Sequence, residues 1–564
     1  MKKALLTITR KQIFLAILSG LLLGLSWHKP CTFLIFIAFV PLFSLLEKQE
    51  NSKYVSYLTF VIWNLTAYWW LSYVGMVAFL FAVFANALLM LLPVALYKYI
   101  SKKTENKFGL FAFVVAWISF EYLHTQNWGF SWTWLNIGNA FGNTPTLVQW
   151  YEYTGVFGGS AWVLLINYLI FKVLTPYTST ENAVKNIENI GKVGNIENVV
   201  SSNTLSNIQK KYVLYAGLSL FIPIIISLAI FYSYQEKGKE IEIVVLQPNF
   251  DTYTQKFAYN ARTGETNTTS YIPFEQQFEI FLGLIRTTVS PKTALVVLPE
   301  TAWNEDIDEN SAADNSYIFR MNQVKDSFPN LSVLSGADSY AFYVSQTAPT
   351  QTARYHSPNT YYDVFNTAMF IDWQKKTQFY HKSMLVVGVE SNPLRALVAF
   401  LQKTVMQNMY VGDLGTQAER TVFTAKEGLK LAPIICYESI YGEYVTEYTQ
   451  KGANIFCIIT NDGWWDDSPA PRQHLSFASL RAIENRRAVA RSANTGISAF
   501  INQKGEIIEQ SAYNTRIGLR NTLKMNEEIT FYSRFGDIIA RFAIFVVAYL
   551  LLTILQKIVF RKKI

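Results

Sequence analysis

The stretch "LAPIICYESIYGEY", residues 431–444, ends an apolar run abruptly in Cys436, Tyr437 and Glu438. Three cysteines in 564 residues rule out a disulfide framework. The plain alternative is a packed cysteine at a strand end. A free thiol, with its ordinary pKa near 8.5, is mostly protonated at neutral pH and needs a base or a positive neighbour before it attacks a carbonyl. Glu300, at the end of "TALVVLPETA", and Lys382, in "FYHKSMLVVGVE", are the two residues of the required types that follow comparable apolar runs. Glu300 would take the thiol proton. Lys382, as an ammonium, would stabilise the thiolate and then a tetrahedral oxyanion, with a backbone N–H near Tyr437 as the second donor. His381 and His474 have no obvious partners in the sequence, so neither competes for the role of base. Cys457 lies in the middle of an apolar run and reads as core.

These residues need a scaffold that brings distant strand ends together. Across 239–525, short β-branched segments alternate with helical ones. The segments at 241–249, 293–302, 331–338, 429–438 and 453–465 all end in polar or small residues. That pattern predicts an α/β domain with buried strands and functional side chains at their carboxyl ends.

The remainder of the chain has a different character. The protein is 51% hydrophobic and only 16% charged, well below the roughly 25% charged residues of soluble domains. Stretches apolar enough to span a bilayer are expected near 11–28, 32–47, 55–73, 75–97, 108–125, 155–175, 212–233 and 537–558, with 55–97 turning at Gly75. The first reads as an uncleaved anchor, because no small-x-small cleavage site follows it. The net charge of +8 is unevenly placed: residues 234–536 carry 28 basic and 32 acidic side chains. Nucleic-acid binding is therefore not expected. Lysines cluster in alternate loops and at both termini, whereas 126–154 has neither Lys nor Arg. The positive-inside rule then places both termini in the cytoplasm and 234–536 outside it. The segment 178–208, poor in apolar residues and twice reading "NIEN", is expected to be a flexible linker. "NWGFSWTWLNIG" (127–138) has three tryptophans, suited either to an interfacial aromatic belt or to a lipid substrate.

Taken together, "VVLPETAW", "HKSMLVVGVE", "CYESIYGEY" and the run from "TNDGWWDDSPAPRQH" through "SLRAIENRRAVARSANTG" resemble the nitrilase superfamily. Within it, "GLLLGLSW", "PLFSLLE", "GFSW", "GVFGGS" and "FGD" resemble the apolipoprotein N-acyltransferase family. The resemblance implies an αββα sandwich bearing a Glu-Lys-Cys triad, fused to an all-α bundle of eight transmembrane helices. The domains would be 1–233 with seven spans, a periplasmic catalytic domain at 234–534, and a last span with a basic tail at 535–564. It implies Glu300 as base, Lys382 as oxyanion stabiliser and Cys436 as nucleophile, with supporting roles for Glu390, Tyr437 and Glu438. The sequence departs from the family at Val387-Gly388-Val389, where Pro-Phe-Gly is usual, and at Phe257, where a tryptophan commonly follows the lysine. No site role is assigned there, nor to the insertion at 251–275.

The implied reaction passes an acyl chain from a phospholipid, through a cysteine thioester, to the amino group of a lipoprotein's diacylglyceryl-cysteine. It would take place at the bacterial inner membrane, by a monomer, without metal or cofactor. Two alternatives share parts of this pattern: a membrane-tethered amidohydrolase with the same triad, and a non-catalytic lipid transporter or scaffold. Seven preceding spans argue against the first, and the scarcity of charge within the spans, Glu121 lying near an end, argues against transport.

Overall fold

The computed structural model describes residues 8–47, 52–129, 131–175, 207–260, 265–267, 269–391 and 413–561. The expected linker at 178–208 falls almost entirely outside them.

A helix lies at each of the eight apolar stretches. They are α1 (Arg10–Leu25), α2 (Cys31–Glu47), α3 (Ser52–Ala67), α4 (Met76–Lys103), α5 (Phe111–Thr125), α6 (Tyr151–Leu174), α7 (Asn207–Ser233) and, at the chain's end, α12 (Ile538–Arg561). Four of them, α4, α6, α7 and α12, are long and apolar enough to cross a membrane by themselves. The other four are shorter, 15 to 17 residues, and at 1.5 Å per residue fall below the usual span. α3 and α4 are joined by a tight turn at Trp69–Tyr73 followed by Gly75, where the sequence places its hairpin. In α6 the helix kinks at Gly155, whose φ of +59° suits glycine. A Cβ there would also lie 2.2 Å from the Tyr532 ring, so the close approach of the two segments needs the missing side chain.

The α/β part holds two sheets. One runs β14 (Ile517–Met525), β1 (Lys239–Gln247), β2 (Thr293–Val297), β4 (Ser332–Val344), β6 (Thr360–Ile371), β5 (Arg354–Ser357), with β3 (Trp303–Asp308) on β4 and β7 (Thr377–His381) on β6. The other runs β13 (Ile507–Gln510), β12 (Ala499–Ile501), β11 (Ala488–Ala493), β10 (Ile455–Thr460), β9 (Lys430–Ile435), β8 (Phe423–Thr424). Alternation selects their faces: Ile243 and Val245 of β1 pack inward with Ile434 and Cys457 of the second sheet, while Val244 and Leu246 turn outward onto helices. Helix α8 (Phe274–Thr288) covers that outer face because Phe274, Phe278, Phe281, Leu282 and Ile285 recur at helical spacing. Beside it lies α9 (Ser316–Lys325), whose first turn is capped by Asn315 accepting from the Tyr317 and Ile318 N–H groups. α10 (Gly442–Gln450) and α11 (Pro469–Asn485) lie on the second sheet, through Val445 and Tyr448 and through Ala478 and Ala482. The layers are therefore α-β-β-α.

The central strands β1, β2, β4 and β9–β11 pair parallel with neighbours, so their carboxyl ends share one edge of each sheet. That edge abuts the helical part. The Trp134 indole N–H donates there to Gln473 Oε1 at 3.0 Å, and at the opposite end of α11, just ahead of β11, Arg486 bonds Glu152 at 2.7 Å and Gln149 at 2.8 Å. The aromatic loop thus packs largely into the protein. Trp134 is buried against His474 and Phe477, Trp132 leans on Tyr437, and Trp128 alone of the three is exposed.

Candidate active site

Glu300 ends the turn after β2, Lys382 follows β7, and Cys436 follows β9. The three strand ends meet. Lys382 Nζ donates to Glu300 Oε1 and to Glu390 Oε1, each at 2.9 Å. The Cys436 thiol lies beside the Glu300 carboxylate and also meets Thr460. Glu300 Oε2 accepts from the Asn461 backbone N–H at 3.1 Å, so its two oxygens are held on different sides. Cys436 itself lies in the left-handed region, with φ +47°, a conformation uncommon for a side-chain-bearing residue and frequent at active sites.

The supporting residues fall into two groups. Glu390 belongs with Glu300 and Lys382, for it touches Lys382 directly and its second oxygen accepts from the Val386 N–H at 2.8 Å. The unusual Val387-Gly388-Val389 forms a tight turn closed by Gly388 N–H to Ser391 O at 2.9 Å, and Gly388 takes φ +81°. Glycine is what that turn requires. Glu438 points the other way, accepting from Ser383 N and Ile435 N at 2.8 Å and from Tyr380 and Tyr444 hydroxyls at 2.8 and 2.5 Å. It ties the segment after Lys382 to the turn carrying Cys436. The Tyr437 hydroxyl donates to Ser131 O at 3.1 Å, linking that turn to the aromatic loop.

Electrostatics favour an ionised base beside a protonated thiol at rest. Burial alone would raise the Glu300 carboxyl, but the Lys382 ammonium and hydrogen bonds from Lys382, Asn366 and Cys436 hold it below the ordinary carboxylate range. Burial would lower Lys382, but Glu300 and Glu390 hold it well above its usual value. The thiol is pushed up by burial and by the Glu300 charge, against Lys382 and Thr460. At rest the proton therefore stays on Cys436 and the negative charge on Glu300.

Two family models match the chain. The apolipoprotein N-acyltransferase N-terminal domain matches residues 19–169, and the carbon-nitrogen hydrolase domain matches 336–519. Proteins named apolipoprotein N-acyltransferase align with it nearly end to end. That of Chlorobaculum tepidum is 25% identical over 95% of both chains, and that of Geobacter metallireducens is 25% identical over 94% of this chain and 93% of its own. The chain belongs to the apolipoprotein N-acyltransferase family. The carbon-nitrogen hydrolase match contains Lys382, Glu390, Cys436, Tyr437 and Glu438, while Glu300 lies ahead of it.

This member of the apolipoprotein N-acyltransferase family also surrounds Glu300, Lys382 and Cys436 with residues that no local sequence pattern marks. Asn366 donates to both Glu300 Oε1 and Glu390 Oε1, at 2.9 and 2.8 Å, and nothing in the mid-strand run "DVFNTAMF" marks it. Lys256, buried, donates to the Glu300 carbonyl at 3.2 Å. Burial lowers its pKa to about 8, against the pull of Asp338 and Glu300. His381 and His474 have partners after all: Glu309 at 2.8 Å for the first, Asp462 and Ser439, each at 3.0 Å, for the second. Those partners lie 72, 12 and 35 residues away in the chain, which is why no local pattern shows them.

Proposed function

We propose that the protein transfers an acyl chain from a membrane phospholipid to the α-amino group of a lipoprotein's N-terminal diacylglyceryl-cysteine, with Cys436 as nucleophile. The observation that carries this reading is the contact of the Cys436 thiol with Glu300 and of Glu300 with Lys382, in a chain of this family. Cys436 Sγ attacks the ester carbonyl and its proton passes to Glu300. Lys382 and the Tyr437 N–H face the oxyanion. As the tetrahedral intermediate collapses, the C–O bond breaks and Glu300 returns the proton to the departing lysophospholipid oxygen, leaving a thioester. The amine then attacks the thioester, Glu300 takes its proton, and the C–S bond breaks to regenerate the thiol. Glu390 holds the Lys382 ammonium in place, and Tyr437 and Glu438 hold the turn.

Both substrates are lipid-anchored, and helices before and after the sandwich keep it at their surface. All eight apolar helices are read as spans, the four shorter ones completed by their flanking turns, with 234–534 as the periplasmic domain of an inner-membrane protein. Reporter fusions after residues 104 and 190 should then be cytoplasmic, and those at 140 and 300 periplasmic. A cytoplasmic signal at 300 would overturn the orientation.

Mass spectrometry tests the chemistry. Protein incubated with phospholipid should gain one acyl chain, and a diacylglyceryl-cysteine peptide with a free amine should discharge it. The same peptide with a blocked amine should not. Loss of the adduct at one rate with either peptide would identify a lipid hydrolase instead.

A further inference from the structure

Beneath the nucleophile lies a fully buried polar cluster that the reaction above does not use. His474 Nε2 is 3.0 Å from Ser439 Oγ and 3.2 Å from the Cys436 carbonyl oxygen. Its Nδ1 is 3.0 Å from Asp462 Oδ1 and 3.1 Å from an Arg491 guanidinium nitrogen. Arg491 in turn bonds Asp462 Oδ2 at 2.8 Å, and Ser439 donates to the Cys436 carbonyl at 2.7 Å. Trp134 lies over the imidazole at 5.9 Å, and Trp465 meets its edge at 5.6 Å. All four polar side chains are at most 1% exposed, so the ring has one orientation.

That orientation decides where its proton is. If Nδ1 accepts from Arg491, the ring is neutral and its single N–H is on Nε2. If Nδ1 donates to Asp462 while Nε2 is protonated as well, the ring is an imidazolium. The remaining tautomer, protonated on Nδ1 alone, would set the Nε2 lone pair 3.2 Å from the Cys436 carbonyl oxygen, and the single Ser439 hydrogen could serve only one of those two acceptors. In either compatible state Nε2–H points at Ser439 and the Cys436 carbonyl.

A carbonyl held by two donors fixes its whole peptide. The bond between Cys436 and Tyr437 is planar, so a carbonyl turned toward His474 and Ser439 turns the Tyr437 N–H away from them. The left-handed φ of Cys436 also needs such external restraint, because the chain would otherwise relax out of it. We propose that His474, braced by Asp462 and Arg491 and acting with Ser439, is a positioning residue that fixes the Cys436–Tyr437 peptide and thereby aims the Tyr437 N–H at the developing oxyanion.

This rests on Cys436 being the nucleophile of the proposed function, yet the test does not need phospholipid. The full-length protein in detergent is given two probes, and modification of Cys436 is followed by peptide mapping. A p-nitrophenyl ester acylates the thiol through an oxyanion. Methyl methanethiosulfonate has no carbonyl: the thiolate attacks its sulfur, a methyl disulfide forms and methanesulfinate leaves. His474→Phe keeps a ring beneath Trp134 and removes the donor. It should slow acylation by about 10²–10³-fold, as loss of one oxyanion donor does, and leave methylthiolation within about threefold of wild type. His474→Gln, which can place an amide N–H near the Nε2 position, should recover most of the acylation rate. Ser439→Ala should show the same selective loss, and stands in should His474→Phe fail to fold. Equal loss with both probes would make the cluster merely structural, and unchanged acylation in His474→Phe and Ser439→Ala would overturn the assignment. If wild type reacts with the p-nitrophenyl ester but never with phospholipid, the acyltransferase reading fails while this inference remains decided by the variants.

Discussion

Cys436→Ala should gain no acyl chain on incubation with phospholipid, whereas wild type should gain one that hydroxylamine removes, as it does from a thioester. Cys457→Ala should behave as wild type, because Cys457 is enclosed in mid-strand with burial alone acting on its thiol. Turnover of Cys436→Ala should fall by about 10⁴-fold or more, the scale of removing a nucleophile from a catalytic unit. Cys436→Ser is the sharper case. The serine hydroxyl is nearly the same shape but a far weaker acid. Glu300, held below the ordinary carboxylate range by Lys382 and its other donors, is a weak base for it. The thiol already resists ionisation in its buried site, so a hydroxyl there should scarcely react at all. A Cys436→Ser protein that acylates at anything near the wild-type rate would remove Cys436 from the mechanism.

How far the sequence alone reaches depends on whether a feature is local. The strands β1, β2, β4, β9 and β10 announce themselves through β-branched runs, and Glu300 and Cys436 stand where those runs stop. β6 escapes such a reading: "TYYDVFNTAMFI" mixes aromatic, polar and apolar residues, because one end pairs in an exposed hairpin and the other is buried. With β6 goes Asn366, whose two carboxylate partners come from other loops. The aromatic loop shows the same limit. Its tryptophans suggest a membrane surface by composition, but Trp134 is enclosed between α11 and the turn at Trp465, contacts that only the assembled chain defines. Likewise the His474 ring has no hydrogen-bond partner within ten residues among the described residues, while the fold brings Asp462, Arg491 and Ser439 to it. Helix positions are legible from hydropathy, but their lengths are not. Turns such as the aromatic one at Trp69–Tyr73 after α3 end a helix inside an apolar stretch.

Lys382→Met should be at least as damaging to thioester formation as Glu300→Gln, which should cost about 10²–10⁴-fold as acid–base losses do. Lys382 has two tasks. It faces the oxyanion, and it is the sole cation bonded to both the buried Glu300 and the partly buried Glu390 among the described residues. Without it, burial dominates Glu300 and its pKa rises above the ordinary value, so the ionised base appears only at higher pH. Residual activity of Lys382→Met should therefore show its acid limb displaced upward from wild type. Stability should follow the same linkage. In wild type the depressed Glu300 pKa contributes stability above the unfolded-state value, lost as pH falls through the folded one. In the variant a raised Glu300 carboxyl contributes stability at low pH, lost as pH rises through its new folded value. The gap between the two proteins should widen from about pH 4 to pH 7, toward the roughly 3–5 kcal/mol of a broken buried ion pair. Glu390→Gln in the Lys382→Met background should then recover part of the thermal midpoint, since it removes one uncompensated carboxylate, and recover none of the activity. Thermal unfolding of both variants across that pH range separates the tasks. A gap independent of pH, or activity returning with the second substitution, would mean that Lys382 acts through something other than these charges.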